Sequence, residues 1–255
     1  MRVLAVASQK GGVGKTTTAV NLAALWTTES RVLLVDMDPQ GNATAGVGVA
    51  EGDLTLTVAE VLAGECTASE ALIDTGFGNL MLLPADVGLA RLEADNLPVG
   101  ALAEALRPLA GVFDMLVIDC PPSLGRLTLN ALAAAERILI PVKAGRFSLK
   151  GLQQLLDAAE SLRLRGVNSK LRPLGVFFNE AQPHTNLYQT VKEALTRSYG
   201  ALLLETFVPV NVRLGEAQVV GEPITVYDPR ASGAEAYARL AKEVLNRWPE
   251  IARPA

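Results

Sequence analysis

Lys10-Gly11-Gly12-Val13-Gly14-Lys15-Thr16-Thr17 packs three glycines, two lysines and two hydroxyls into eight consecutive residues, which is the chemistry of a phosphate cradle. Glycines let backbone N–H groups curl around phosphates without a Cβ in the way. A lysine reaches the β- and γ-phosphates, and a hydroxyl ligates Mg²⁺. Gly14, Lys15 and Thr16 fill the end of the Gly-x-x-x-x-Gly-Lys-Ser/Thr pattern, Gln9 stands where its first glycine is usual, and Lys10 is an additional cation. A second acidic segment reads Val35-Asp36-Met37-Asp38-Pro39-Gln40-Gly41-Asn42. In an extended chain, residues two apart project to one side, so one carboxylate can hold a metal-bound water while the other orients an attacking water. An Asp-Pro turn also explains Asp38-Pro39, although it gives no reason for the second carboxylate.

Such groups need a scaffold. Residues 2–7 form a strand-like apolar run directly before the loop, and 16–29 carry Val20, Leu22, Ala23, Ala24 and Trp26 at roughly helical period. Strand, loop and helix in that order imply a nucleoside triphosphate site. Further strands are expected at 31–36, 80–84, 115–119, 138–142, 174–178 and 202–208, and helices at 100–109, 127–134, 150–164, 187–199 and 234–248. The alternation predicts an α/β fold with a doubly wound, mainly parallel sheet flanked by helices. Ligands in such sheets bind beyond the carboxyl ends of the strands, where each phosphate-related motif falls. The glycine-rich stretch 41–53 reads as a mobile loop, and 253–255 as a frayed tail.

With 255 residues, 49% of them apolar, one domain spanning 1–255 has enough material for a large core. The opening apolar run is too short for a signal peptide and no run is long enough to cross a bilayer, so a cytoplasmic protein is expected. Cys66 and Cys120 lack metal spacing, and Cys120 reads as a packing residue with no histidine nearby to activate it. The net charge of −4 hides an asymmetry. Lys143, Arg146, Lys150, Arg163, Arg165, Lys170 and Arg172 face only Asp157 and Glu160 in their stretch, which fits either a basic face for a polyanion or a solvated helix surface.

The phosphate loop, the Asp36–Asn42 segment and Val117-Ile118-Asp119-Cys120-Pro121-Pro122 together resemble the ParA/Soj partition ATPases, relatives of MinD and nitrogenase iron protein within the deviant P-loop class. The resemblance continues through Asn130-Ala131-Leu132, Asn211-Val212-Arg213-Leu214 and Tyr227-Asp228-Pro229-Arg230, and so covers nearly the whole chain. It implies ATP and Mg²⁺ as cofactors and a slow ATPase. The backbone of Gly11 to Thr17, including Gly12, Val13 and Gly14, and the Lys15 ammonium would bind phosphates, with Thr17 on the α-phosphate. Thr16 would ligate Mg²⁺, Asp36 and Asp119 would act on it through water, and Asp38 would position the attacking water. Lys10 would cross to nucleotide on a second subunit, making ATP a switch for a sandwich homodimer. Asn179, Pro209 and Asn211 are the implied base pocket.

The resemblance further implies binding of nonspecific double-stranded DNA, release through a ParB-type centromere-binding partner, and a nucleoid-associated location. Arg213, Lys150, Arg146 and Arg230 are the candidate DNA contacts, Arg230 being equally explained by an Asp-Pro-Arg turn. The chain departs from the pattern at His184, at Val210 within Val208-Pro209-Val210-Asn211, and at Gly145-Arg146-Phe147-Ser148-Leu149-Lys150-Gly151, where acids are replaced by bases. His184 reads as a surface residue. Because the phosphate loop begins almost at residue 1, no preceding helix-turn-helix and no site-specific autorepression are expected. The alternative is a MinD-like membrane-cycling ATPase that positions division or other machinery. The last helix has an apolar face of Tyr237, Leu240, Ala241, Val244, Leu245 and Trp248, but no lysine-rich polar face and a closing Pro249, so docking onto the domain is expected and stable membrane binding is not. Nitrogenase-type electron transfer would need bridging cysteines in other places.

Overall fold

Apolar runs rich in Val, Leu and Ile make the central strands of the computed structural model, which describes residues 1–145 and 148–248. The strands are β1 (Arg2–Val6), β2 (Val32–Asp36), β3 (Ile73–Asp74), β4 (Leu80–Leu83), β5 (Met115–Asp119), β6 (Arg137–Val142) and β7 (Arg172–Phe178). They form a seven-stranded sheet in the order β3-β4-β2-β5-β1-β6-β7, parallel except where β3 meets β4. Every residue of β2 and β5 is buried, as a parallel sheet covered on both faces requires.

One face is covered by α3 (Val58–Ala63), α4 (Gly88–Ala94), α5 (Ala101–Leu106), α6 (Arg126–Ala134), α7 (Ser148–Leu164) and α8 (Asn186–Tyr199). The other carries α1 (Lys15–Trp26), α2 (Asn42–Ala45), α9 (Val212–Val220), α10 (Ile224–Tyr227) and α11 (Ser232–Arg247). The apolar side of α11 packs inward: Tyr237, Leu240 and Val244 are fully buried, and Trp248 nearly so beneath the guanidinium groups of Arg2 and Arg137. Burying such side chains contributes about 1.5–3 kcal/mol each, so α11 is bound firmly to the domain. No described helix is long and apolar enough to cross a membrane.

Two expectations need correction, and one strand was not anticipated. Residues 202–208 do not form a strand. Leu204 and Val208 donate to Val176 and Phe178 of β7, but the N–H groups of Glu205 and Thr206 between them are taken by the Glu243 carboxylate of α11, both at 2.9 Å, and the ladder breaks. The stretch 41–53 is organised: it contains α2 and a 3₁₀ turn at Glu51–Asp53, with Ala43, Thr44 and Val47 buried. The two-residue β3, antiparallel to β4, is too short to show any alternation in sequence. Arg146, the closing Pro249 and the tail 253–255 lie outside the described residues.

Candidate functional site

The register of the sheet brings the chemistry together. Val6, Asp36 and Asp119 are paired neighbours at the carboxyl ends of β1, β2 and β5. The glycine-rich loop leaves β1 at this edge and turns into α1 through Gly12 and Gly14, whose φ values of 69° and 82° lie in the left-handed region. Gly14 is required twice over, because a Cβ there would lie 2.0 Å from Asn179 Nδ2. That amide donates to the Val13 carbonyl at 2.8 Å and ties the loop to the end of β7. No side chain caps the N-terminus of α1, so its first-turn N–H groups and the positive end of its dipole face outward from the loop.

Around this loop stands a buried cluster of three carboxyl groups and one ammonium. Asp36 and Asp119 are fully buried, and Asp38 and Lys15 are 7% exposed. The Thr16 hydroxyl donates to Asp119 Oδ2 at 2.7 Å, whereas Asp119 Oδ1 is buried with no hydrogen-bond partner. Burial, reinforced by the Asp36 charge, pushes the Asp119 carboxyl well above the usual carboxylate range. Burial likewise raises Asp36 to about 6, against three donated hydrogen bonds: Asp38 N–H to Oδ1, and Thr44 N–H and Oγ1–H to Oδ2. The Lys15 ammonium is pushed down by burial, against the pull of Asp119, and reaches the Lys10 carbonyl at 3.4 Å. Three carboxylates against one ammonium leave the edge short of positive charge. An orphaned acceptor beside a hydroxyl is what a hydrated cation would satisfy.

Asp38 also makes the turn that its sequence suggests, accepting from the Gln40 N–H at 3.1 Å through Oδ1. Both readings of Asp38-Pro39 therefore hold at once: the residue forms a turn and is a buried member of the cluster. Cys120 is fully buried and its thiol is pushed far up by burial, which leaves it a packing residue. Lys10 is exposed at the outer edge of the loop. There, a cavity of about 340 Å³ runs between the loop and α7, lined by Lys10, Lys143 and Lys150 above Ile140, Val142 and Leu155. Lys143 pairs with Glu180.

A separate cavity of about 330 Å³ opens behind Gly14 and Thr17 and is lined by Asn179, Glu180, Val210, Asn211 and Val212. Asn179 Oδ1 is buried and unpartnered. The Asn211 side chain is committed to structure, accepting from the Arg213 N–H as the N-cap of α9 and donating to Ser232 Oγ. Pro209 bridges to Ala181 and is not part of the lining. Arg213 is exposed but paired within its own chain, to Glu216 at 2.7 Å and to Asp228 at 3.6 Å. Arg230, Lys150 and His184 are exposed. In the Asp-Pro-Arg turn, the Arg230 N–H donates to Asp228 Oδ1 at 3.2 Å.

Three residues around the site escaped sequence reasoning. Thr44 lies in the stretch read as a loop. Asn21 donates to the Thr17 carbonyl and accepts from the Ile224 N–H at 2.7 Å, fastening α10 to the loop helix. Asn130 accepts from the N–H groups of Gly100 and Leu102, so this part of the resemblance marks a buttress for α5. For Thr44 and Asn21 the only sequence signal is a polar side chain among apolar neighbours, and for Asn130 the resemblance gave a motif without a role.

A family model described as an AAA domain matches residues 1–172. The chain is 42% identical to the chromosome partitioning protein ParA of Myxococcus xanthus, over 96% of this chain and 88% of that one. It is 42% identical to the sporulation initiation inhibitor protein Soj of Bacillus subtilis, over 95% and 98%. The chain belongs to the ParA/Soj family. Among solved structures, the ParA/Soj chain superposes with a TM-score of 0.84 and 37% identity on a Mycobacterium smegmatis cobyrinic acid a,c-diamide synthase with bound ATP analogue and magnesium, covering 97% and 96% of the two chains. It superposes with a TM-score of 0.80 and 26% identity on Pyrococcus horikoshii MinD complexed with Mg-ADP, covering 95% of each. The ParA/Soj chain thus has the fold of the MinD/ParA-like P-loop ATPases.

Proposed function

We propose that this chain is a Mg²⁺-dependent partition ATPase, whose ATP-bound sandwich dimer grips duplex DNA without sequence preference and lets go when a ParB-type partner stimulates hydrolysis. The observation that carries the reading is the convergence of an uncapped α1, the Thr16–Asp119 pair and the buried Asp36–Asp38 segment on one sheet edge. The relatives named as chromosome partitioning proteins support it over nearly the full chain.

The backbone of Gly11 to Thr17 donates to the phosphates of ATP, and Lys15 neutralises the β- and γ-phosphates. The residues present fit Mg²⁺: the Thr16 hydroxyl would be a ligand, and the unpartnered Asp119 oxygen and Asp36 would accept from its waters. Among the described residues no cluster of three His, Cys, Asp or Glu stands ready to hold a metal by itself. Mg²⁺, when bound, offsets phosphate charge as hydrolysis proceeds. Asp38 orients the attacking water, and Lys10 at the exposed loop edge supplies charge to nucleotide on the opposite subunit. Asn179 and Asn211 line the cavity behind Gly14 and frame the base, with Pro209 shaping the backbone beside that lining.

Arg213, Lys150 and Arg230 supply the exposed cations for DNA, with Arg146 a few residues before Lys150 in sequence. Such binding is phosphate neutralisation and weakens steeply with salt. A partition role places the protein in the cytoplasm on the nucleoid, carrying chromosomal or plasmid cargo. A membrane-cycling role has less to work with, because the apolar face of α11 is already buried in the domain. Light scattering with ATP, ADP and no nucleotide tests the switch: a dimer only with ATP is expected, and a monomer under all three conditions contradicts it.

A further inference from the structure

Thr44 sits eight residues beyond Asp36 on the short helix α2, is 3% exposed, and turns both of its donors toward the site. Its N–H and its Oγ1–H both donate to Asp36 Oδ2 at 2.9 Å, and Oγ1 accepts from the N–H of Ala85 at the end of β4 at 3.0 Å. With the Asp38 N–H on Oδ1, these bonds fix the plane of the Asp36 carboxylate. The chain builds a scaffold to deliver this one side chain. Gly41 opens α2 with φ 62°, and Gly46 fits where a Cβ would lie 3.0 Å from the Asn42 carbonyl. Gly48 then meets Gly221, at the end of α9, so closely that a Cβ on Gly221 would lie 2.8 Å from the Gly48 Cα and 2.9 Å from the Ala45 carbonyl. A hydroxyl whose role was only to cap a turn would need none of the contacts to Asp36.

We infer that Thr44 is a positioning residue for metal-bound nucleotide: it orients Asp36 so that the carboxylate's remaining acceptor capacity faces the waters of the ion held at Thr16. This rests on the ATPase reading above. A side chain that orients a carboxylate near a metal acts on metal affinity, while the phosphate contacts of the loop and Lys15 stay intact. The effect therefore separates from nucleotide affinity itself.

Calorimetric titration of ATP, with Mg²⁺ from none to saturating, tests this on the parent, Thr44→Val and Thr44→Ser. Valine keeps the volume and removes the hydroxyl. Thr44→Val is expected to raise the Mg²⁺ concentration for half-maximal enhancement of ATP binding about tenfold, with metal-free ATP affinity within about twofold of the parent, and serine is expected to restore the parent value. If the valine variant does not fold, Thr44→Cys, a weaker donor of similar size, is expected to give an intermediate rise. An unchanged Mg²⁺ requirement in Thr44→Val or Thr44→Cys overturns the inference, as does a parallel loss of metal-free ATP affinity. A parent whose ATP binding shows no Mg²⁺ dependence overturns instead the ATPase reading on which it stands.

Discussion

The two charged regions of this molecule are built on opposite principles. At the carboxyl edge of β1, β2 and β5, charged groups are buried, held by short hydrogen bonds and left with an acceptor unsatisfied. At Arg213, Arg230 and Lys150 the cations are exposed, and Arg213 is already paired with Glu216 and Asp228 of its own chain. The first arrangement costs folding free energy that only a ligand of matching charge can return. The second is close to neutral for folding, since exposed ion pairs contribute little. One region therefore carries its chemistry in its geometry, and the other carries only a capacity that a polyanion must compete for.

The largest effects should come from breaking the buried edge. Lys15→Ala is expected to abolish ATP binding, a loss of at least about a hundredfold by equilibrium titration. Asp38→Ala should instead keep ATP binding while hydrolysis falls about a hundredfold or more, trapping the ATP dimer in light scattering. Next come the glycines on which the edge depends. Gly221→Ala places a Cβ against the Gly48 backbone at a φ of 78°, and should cost about 2 kcal/mol or more in chemical denaturation.

A smaller effect follows from the Asp36 carboxyl, which burial raises from its ordinary 3.8 to about 6. The folded, ligand-free protein binds more protons at this group than the unfolded chain between these values, so Asp36 subtracts stability as pH rises through that window and no more above it. Binding of Mg-ATP, which favours the carboxylate, should release roughly half a proton from Asp36 at pH 6 and almost none from it at pH 8, with any release from Asp119 adding to both. Calorimetry in two buffers of different protonation enthalpy measures this directly. The smallest effect belongs to the surface. Arg213→Ala should weaken DNA binding a few-fold and lower the salt slope by about one per subunit, leaving ATP binding and the unfolding midpoint nearly unchanged. A large loss of ATP affinity in that variant would dissolve the distinction between the regions.

The same contrast governs what the sequence discloses. Glycines at positive φ, a lysine reaching back over a loop and paired carboxylates at a strand end are local necessities, so the phosphate loop and the Asp36 and Asp38 pair could be read directly, whereas Asp119 entered only through the family resemblance. The central strands and the longer helices followed from apolar periodicity within two residues, except that α1 ends at Trp26, three residues short of its expected end. Residues 202–208 carry a strand pattern, but the outcome is decided by Glu243, some forty residues away, which no local pattern reveals. Thr44 was hidden by the same kind of distance: its partners are Asp36 and Ala85, brought together only by the pairing of β2 with β4. Of the two carboxylates paired with Arg213, Glu216 is a local i,i+3 neighbour on α9, whereas Asp228 approaches it only through the turn after α10.

The account stands or falls on whether nucleotide state governs the grip on DNA. Retention of nonspecific duplex should be measured at low and moderate salt with ATP, with ADP and without nucleotide, alongside anionic liposomes. Retention with ATP alone, lost as salt rises and absent on liposomes, is the predicted result. Retention indifferent to nucleotide, or ATP-dependent binding to liposomes in place of DNA, would contradict it.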